Sequence, residues 1–250
     1  MPFLRFGGIE SECAVKCDNS IFGIPVNADE TPKLYWLWKN LGDFGCDVIG
    51  YCQYRRFFTK VNTRVPILSI TRARFSKDMA MEPAFQEAVI RSHKVDGILH
   101  PAIPVVNRSL TPFKYVWEQI AILEQDKMCP LGKLKTVFDI FLSHTPADLK
   151  PFMEKAFLEP NNYLCNIFTV KSDVFKLFGD IAFVSVRDVL SMMTPDEKKR
   201  LHPYWLAYLF ERYTSCFYHC LELSGKCRFA KVSLMTLDAD KHIEWKRPDV

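Results

Sequence analysis

Apolar residues recur along the chain at spacings that separate helices from buried strands. The stretch "ETPKLYWLWKNLG" (30–42) predicts a helix, because its apolar residues return every three to four positions. The apolar face of this helix is formed by Leu34, Leu37, Trp38 and Leu41. The next stretch, "DVIGYCQY" (47–54), is mostly apolar and predicts a buried strand. The pattern therefore starts with a helix and a strand that follows it closely.

The same alternation continues to the end of the chain. Further buried strands are predicted at 96–106, 163–170 and 228–237. Further helices are predicted at 77–92, 113–126, 131–157 (two helices), from about 172 onwards and at 204–223. Strands that alternate with helices are typical of an α/β fold with a mostly parallel central sheet. We expect a single domain over 1–250, with extra helices in its C-terminal half.

Composition and charge exclude several classes of protein. The 250 residues are 48% hydrophobic, which suits one globular domain, and the net charge of +4 comes from scattered basic residues. A nucleic-acid-binding domain usually has a stronger basic stripe, so we expect no nucleic-acid partner. No apolar run reaches the length of a transmembrane segment or of a signal-peptide centre. Nine cysteines without a compact framework indicate reduced thiols, and we expect a cytoplasmic protein.

Two adjacent arginines, Arg55 and Arg56, follow the predicted strand at 47–54. In open α/β sheets, ligands bind beyond the carboxyl ends of the strands. A guanidinium group presents a planar fork of donors that matches phosphate oxygens, so this pair can hold a diphosphate. The alternative is a pair of surface arginines that form salt bridges with Asp43 or Asp47. Spacing alone leaves both interpretations open.

Other polar residues stand in places where either a ligand or another part of the protein would satisfy their hydrogen-bonding groups. Asp18 and Asn19 in "CDNS" (17–20) can bind a ribose or a sugar hydroxyl, or can simply form a turn. Asn166 interrupts the apolar stretch "LCNIF", where its amide is satisfied by backbone or by a ligand. Glu211 lies in an apolar helix beside Arg212, either as a catalytic base or as half of an ion pair.

Asp238 and Asp240 form an Asp-x-Asp sequence after the last predicted strand. Carboxylate oxygens of this kind bind Mn²⁺ or Mg²⁺ that bridges to a diphosphate, but the pattern is more often a solvated turn. The sequence lacks the glycine-rich phosphate loop, the dinucleotide-binding glycine motif and the nucleophile elbow. Walker-type NTPases, Rossmann dehydrogenases and α/β-hydrolases are therefore disfavoured.

Four stretches together resemble a family of bacterial polysaccharide-synthesis proteins. The stretches "ETPKLYWLWKN" and "YCQYRRFF" resemble the family's E-L-T-x-L-Y-W-x-W-K-N and G-L-x-H-Y-R-R-Y-F segments. The stretches "YLCNIFTVKSDVF" and "PYWLAYLFERY" resemble its N-M-F-I-M-K-K-E-x-F and G-[FY]-L-[SA]-E-R-L segments. The family's domain was long labelled as of unknown function and occurs in capsule, exopolysaccharide and O-antigen enzymes. The resemblance spans about 17–220 and is most specific at 30–58.

This resemblance implies a GT-A-like glycosyltransferase with a nucleotide-diphospho-sugar donor, most simply a UDP-sugar, and a glycan or lipid-linked acceptor. Within it, Arg55 and Arg56 would hold the donor diphosphate. The nucleotide or the donor sugar would be contacted by Asp18, Asn19 and Glu30, and the pocket would be lined by Tyr54 and Asn166. Glu211, or failing it Asp18, would be the catalytic carboxylate. Residues 1–110 would form the nucleotide-sugar-binding half and 111–250 the helical, acceptor-binding half.

The arginine segment departs from the pattern of other GT-A folds. In those folds the corresponding strand end carries the metal-binding Asp-x-Asp, whereas this chain has "QYRR" (53–56). Two fixed guanidinium groups can neutralise a diphosphate and its leaving group, so we expect no required metal cofactor. Mn²⁺ or Mg²⁺ held by Asp238 and Asp240 is the alternative. We expect no membrane-spanning segment, although peripheral membrane contact is compatible with a lipid-linked acceptor.

Two further departures motivate a second hypothesis. The family's histidine before the Tyr-Arg-Arg sequence is Gln53 here, which removes any proton transfer by that side chain. The family also usually opens with a strand that ends in Thr-His-Lys, and this sequence starts after it. The alternative function is therefore a non-catalytic member of the same fold that binds nucleotide-sugars or glycans.

Overall fold

The structure is a computed structural model that describes residues 31–52, 56–61, 67–71, 74, 76–104, 133–159, 161–163, 166–201 and 205–238. Its helices are α1 (Thr31–Lys39), α2 (Leu41–Phe44), α3 (Pro83–His93), α4 (Leu134–His144), α5 (Lys150–Leu158), α6 (Ser172–Ser191), α7 (Pro195–Arg200) and α8 (Trp205–Leu223). Its strands are β1 (Val48–Tyr51), β2 (Arg56–Phe58), β3 (Ile67–Thr71), β4 (Gly97–Leu99), β5 (Ile103–Pro104), β6 (Asn161–Asn162), β7 (Phe168–Lys171), β8 (Phe229–Lys231) and β9 (Leu234–Asp238).

The central sheet has the strand order β1-β7-β4-β8. Strand β7 is antiparallel to both of its neighbours, β1 and β4, whereas β4 and β8 are parallel. Strands β1, β4 and β8 therefore point the same way, and β7 runs against them from within the sheet. The predicted α/β class is confirmed, but the pairing is mixed rather than mostly parallel. An apolar run shows that a strand is buried, and it does not show the direction of that strand.

A second sheet has the order β2-β9-β3, in which β9 is antiparallel to β2 and parallel to β3. Only two residues separate β8 in the central sheet from β9 in the second sheet. Val232 N donates to Leu99 O over 2.9 Å, and Thr59 N donates to Ser233 O over 3.0 Å. This short link therefore fixes the position of one sheet against the other. Strands β5 and β6 form a separate antiparallel pair.

The central sheet lies between two apolar clusters. Leu99 and Phe168 belong to the larger cluster, which contains α6 and α8 and which we call the helix face of the sheet. Ile98 and Ile167 point the other way, into a smaller cluster that includes residues of β2, α3 and β9. Successive strand residues alternate between faces, so one buried strand supplies both clusters. This explains why β4 and β7 read as continuous apolar runs.

Helix α1 packs against α6 through Trp38 and Tyr35, whose rings lie 5.4 Å and 5.1 Å from that of Phe183. Leu34 and Leu37 are buried as predicted, and Trp38 packs against Gly179 so closely that a Cβ there would lie 2.1 Å from Trp38 Cδ1. Trp38 Nε1 also donates to Asp180 Oδ1 over 2.9 Å. The "LYWLWKN" stretch carries much of the family resemblance, and its role in the described structure is to pack α1 against α6.

Asp96 joins three strands at the edge of the sheet where β4 and β8 begin. Its Oδ1 accepts from Lys171 Nζ over 2.7 Å, and its Oδ2 accepts from Arg228 N over 2.9 Å. Partial burial acts to raise the pKa of Asp96, but these hydrogen bonds and the two positive charges outweigh it and hold the pKa below its usual value. The folded state therefore favours the charged carboxylate.

Asp96→Asn is expected to lower the free energy of unfolding at pH 7 by about 1 kcal/mol, because the variant loses charge-assisted hydrogen bonds. A carboxyl group whose pKa is lowered by folding stabilises above its unfolded pKa of about 4, and the stabilisation is lost as pH falls through the folded pKa. Urea unfolding at pH 7 and at pH 3 should show the gap between wild type and variant closing in acid. The control is Asp139→Asn, which removes an exposed pair with Lys135 on α4. An equal loss at both pH values would contradict the assignment.

Candidate functional site

The carboxyl ends of β1, β4 and β8 meet the start of β7 at one edge of the central sheet, which we call the carboxyl edge. The register pairs Tyr51 with Phe168, Phe168 with Leu99, and Leu99 with Lys231. Adjacent strands are about 4.8 Å apart, so this row of four residues spans roughly 14 Å. Ligands of open α/β sheets bind at such an edge. The row is therefore the reference for placing each candidate residue.

The side chains of the row lie on the helix face. Residues directly opposite each other on paired strands share a face, and the Tyr51 and Phe168 rings stack with centroids 6.0 Å apart. The Phe168 ring lies 5.3 Å from the Tyr218 ring on α8. Helix α8 thus forms a wall along the helix face beside the carboxyl edge.

Asn166 lies two residues before Phe168, at the carboxyl edge. It is 3% exposed and has a φ of 45°, in the left-handed region that asparagine tolerates better than most residues. This backbone conformation explains why an asparagine interrupts the apolar stretch. Its position at the strand end agrees with the predicted pocket, while its contact with a donor stays a prediction.

Arg56 begins β2, four residues after Cys52, and is paired with Thr236 of β9. Its side chain is partly buried. Chain length alone keeps its Cα within about 15 Å of Cys52, which follows β1 directly. The other predicted donor-binding residues lie outside the described part of the chain: Asp18, Asn19, Glu30, Tyr54 and Arg55.

Glu211 lies on α8 and forms an ion pair with Arg212, with Oε2 3.2 Å from Nη1. The Glu211 side chain is 17% exposed, which leaves it accessible to a substrate. Glu211 lies on the same side of the helix as Ser215, which is one turn later. The Ser215 Oγ accepts a hydrogen bond from Tyr163 N over 2.6 Å. Ser215 lies about 6 Å along the helix axis from Glu211. This stripe of the helix therefore faces Tyr163, three residues before Asn166. Both roles considered for Glu211, ion-pair partner and base, are compatible with this position.

Asp238 is the last residue of β9 and is paired with Thr71 of β3, and Asp240 lies outside the described residues. In the described ranges, no group of three or more His, Cys, Asp or Glu side chains is arranged to hold a metal ion. A metal site at this Asp-x-Asp therefore stays a prediction.

Sequence reasoning missed a polar cluster at the carboxyl ends of β4 and β8. We call it the edge cluster, and its members are His100, Glu159, Tyr163, His219, Glu222 and Lys231. Lys231 Nζ donates to Glu222 Oε1 over 2.7 Å and to the Tyr163 hydroxyl over 2.6 Å, and that hydroxyl donates to Glu222 Oε2. Glu222 on α8, Lys231 at the end of β8 and Tyr163 after β6 are thereby held together.

Two histidines complete the edge cluster. His100 follows β4, and its Nδ1 lies 2.7 Å from Pro101 O, so this nitrogen carries a hydrogen because a carbonyl only accepts. The His100 ring meets the Tyr163 ring edge to face, with centroids 5.8 Å apart. His219 Nε2 lies 2.6 Å from Glu159 Oε2 and connects α8 to the end of α5. The Tyr163 ring is thus enclosed by fixed polar groups.

Burial sets the protonation of the two central groups. It raises the pKa of Tyr163, and the nearby Glu222 carboxylate raises it further, so the hydroxyl stays protonated and donates. Burial lowers the pKa of Lys231, although the hydrogen bond to Glu222 acts in the opposite direction. The Lys231 ammonium group is therefore partly desolvated, while its side chain keeps 32% of its surface exposed.

A signal for part of this cluster was present in the sequence. His100 ends the apolar run "DGILH", just as the arginines follow "DVIGYCQY", and the same strand-end rule would have selected it. Glu222 and Lys231 carry no such signal, because each is one polar residue among many at the end of its element.

The described cysteines are free thiols. Burial raises the pKa of Cys220 to about 12 and that of Cys227 to about 11, and it also raises that of Cys216. Buried thiols with raised pKa values are poor nucleophiles and poor metal ligands. Cys216, Cys220 and Cys227 therefore belong to the core.

A solved structure described as the apo form of WbbM, a bifunctional glycosyltransferase, has a similar fold, with a TM-score of 0.58 at 14% sequence identity. The similarity covers 88% of this chain and 38% of that one, so this chain spans well under half of the WbbM chain. At this identity the likeness shows the fold alone. This chain therefore shares its α/β fold with part of the WbbM chain.

The chain belongs to the family described as Domain of unknown function (DUF4422), whose model matches residues 29–220. This match confirms the expectation that the chain belongs to a family whose domain was long labelled as of unknown function. No curated protein sequence matches the chain.

The length and hydropathy of the helices bear on membrane insertion. Among the residues that the structure describes, no helix combines the length and the apolar character needed to cross a bilayer.

Proposed function

We propose that the protein is a glycosyltransferase that moves a sugar from a nucleotide-diphospho-sugar, with UDP as the nucleotide, to a glycan or lipid-linked acceptor in surface polysaccharide synthesis. One observation carries this proposal. Strand β1 ends at Tyr51 on the carboxyl edge of a glycosyltransferase-like sheet, and Arg55 and Arg56 follow within five residues. A strand end at the ligand-binding edge is where a diphosphate would need positive charge.

The chemistry follows from the residue types at this edge. The two guanidinium groups neutralise the diphosphate and stabilise it as a leaving group, a role that a divalent metal fills elsewhere. Transfer with inversion needs a carboxylate near the acceptor hydroxyl, and Glu211 is our candidate because it is accessible and lies on the stripe of α8 that faces Tyr163. Asp18 is the alternative base.

The remaining assignments extend the same site. Asp18, Asn19 and Glu30 contact the nucleotide or the donor sugar, and Tyr54 and Asn166 line the pocket. We place the protein in the cytoplasm, where nucleotide-sugars are made, with peripheral contact to a membrane when the acceptor is lipid-linked.

Titration calorimetry of the full chain with UDP-, GDP-, dTDP- and CMP-sugars tests the proposal. We expect at least one UDP-sugar to bind, with an affinity that is kept in EDTA. Binding of none of these donors, with or without Mn²⁺, would refute a donor site. Loss of binding in EDTA that Mn²⁺ restores would refute metal independence and favour Asp238 and Asp240.

A non-catalytic binding protein is the second candidate, and Gln53 in place of the family's histidine favours it. The two functions differ in turnover. Release of nucleoside diphosphate from a bound donor would support the transferase. A donor that binds tightly and stays intact with every acceptor tried would support the binding protein.

A further inference from the structure

We propose that Glu222 and Lys231 in the edge cluster form a subsite for a neutral, hydroxyl-rich acceptor, which is a glycan rather than an acidic or cationic group. This inference rests on the proposed glycosyltransferase function, because it assigns the second substrate of the same edge. It names a substrate class and two specificity-determining residues.

The first argument is position. Lys231 stands at the β8 end of the row whose other end is Tyr51, roughly 14 Å away across three strand spacings. The arginine-bearing segment follows Tyr51. A transferred sugar and an acceptor sugar placed side by side occupy a comparable length. The donor and acceptor would therefore lie along one edge of the sheet. Glu211 lies about 16 Å along α8 from Glu222, so an acceptor sugar held here would use the alternative base, Asp18.

The second argument is unused hydrogen-bonding capacity. An ammonium group has three donors, and the described contacts of Lys231 use two of them. A carboxylate has about four acceptor positions, and the described contacts of Glu222 use one on each oxygen. The side chains of Lys231 and Glu222 are 32% and 24% exposed, so the remaining capacity is accessible from solvent.

The third argument is charge selectivity. A hydroxyl group both donates and accepts, so one sugar hydroxyl can donate to Glu222 while it accepts from Lys231. An anionic group at Lys231 would lie beside the Glu222 carboxylate, with Glu159 in the same cluster, and a cationic group would be repelled by Lys231. The paired charges therefore fit a neutral polar ligand better than an ion.

The fourth argument is rigidity. The Tyr163 hydroxyl bonds both Lys231 and Glu222, and Lys231 Nζ lies 4.3 Å from the centre of the Tyr163 ring. Two long side chains are thus ordered before any ligand binds, which lowers the entropic cost of binding.

The test uses Glu222→Gln and Lys231→Met, which keep the size of each side chain. The probes are p-nitrophenyl β-glucoside and β-galactoside as neutral acceptors and p-nitrophenyl β-glucuronide as an acidic one. Release of nucleoside diphosphate from the donor found by titration is measured against the concentration of each glycoside. We expect a neutral glycoside to stimulate release, and each substitution to raise its KM by about tenfold or more, as loss of a charge-assisted hydrogen bond predicts. Donor affinity should stay within twofold.

Two further variants separate binding from structural support. Tyr163→Phe removes the supporting hydroxyl and keeps the Glu222–Lys231 pair, so it should raise the glycoside KM less than either subsite variant does. Lys226→Met removes an exposed cation that pairs with Asp148, and it should leave the KM unchanged. Thermal midpoints are recorded for every variant.

Three results would overturn the inference. The first is that the KM increases follow the loss of thermal stability across all variants. The second is that the glucuronide stimulates nucleoside diphosphate release more than the neutral glycosides do. The third is that none of the probes stimulates this release. Failure of the proposed function is distinguishable, because then the wild-type protein would bind no donor, or would bind one and release no nucleoside diphosphate at all, even slowly to water without an acceptor. A wild type that binds its donor, with unchanged glycoside KM in both subsite variants, would refute the subsite alone.

Discussion

Gly97→Ala is expected to destabilise the protein by about 3 kcal/mol, because it would force a Cβ into the backbone of the neighbouring strand. That Cβ would lie 2.6 Å from Thr169 O and 3.0 Å from Val170 Cα. Gly97 belongs to β4, which is paired with β7 on one side and β8 on the other. The backbone cannot yield without breaking these pairs, and the smaller entropy of the unfolded alanine chain offsets less than about 1 kcal/mol.

The matched control is Gly50→Ala on β1, which also lies beside β7. A Cβ at Gly50 would approach Thr169 Oγ1 at 3.2 Å, a side-chain atom that can shift. We expect a loss of no more than about 1 kcal/mol in this variant. Urea unfolding of both variants measures the difference. Equal losses would show that the close approach at Gly97 is absent in solution.

Replacing Arg55 and Arg56 together by lysine is expected to weaken donor binding by about a hundredfold, because lysine keeps the charge and loses the planar fork that bonds two phosphate oxygens at once. Replacing both by alanine should weaken binding further, by about a thousandfold, since the charge is lost as well. These are the largest functional effects that the proposed site predicts.

Calorimetric titration of the double variants with UDP and with the UDP-sugar measures these losses. The control is Arg91→Lys, an exposed arginine on α3 that pairs with Glu87, and its donor affinity should equal that of wild type. Wild-type affinity in the double alanine variant would refute the diphosphate assignment. Wild-type affinity in the double lysine variant would show that charge alone, without the fork, holds the donor.

The sequence allowed prediction of features that depend on neighbouring residues. The buried face of α1 with Leu34 and Leu37, and the strand before the arginines, both follow from the local spacing of apolar residues. The α/β class followed in the same way from alternating elements. Asn166 was singled out because one amide in an apolar run needs a reason, and its left-handed backbone supplies one.

Features that depend on register could not be predicted from the sequence. The direction of β7 is set by pairing with strands more than 60 residues away, and apolar runs carry no sign of direction. The edge cluster gathers His100, Tyr163 and the Glu222–Lys231 pair from three distant parts of the chain. Apart from His100 at its strand end, each of these residues looks ordinary where it stands, and only tertiary structure makes them neighbours.

The link from β8 to β9 has a consequence for the order of events during synthesis on the ribosome. Strand β9 lies between β2 and β3, and β8 is the last strand in the described order of the central sheet. Among the described strands, β8 and β9 are synthesised last, so neither sheet is complete until they have been made. Translation adds about 5 to 20 residues per second, so β3 would emerge roughly ten to thirty seconds before its partner. During that interval the nascent chain exposes unpaired strand edges, which makes it a natural client for chaperones that shield newly made protein.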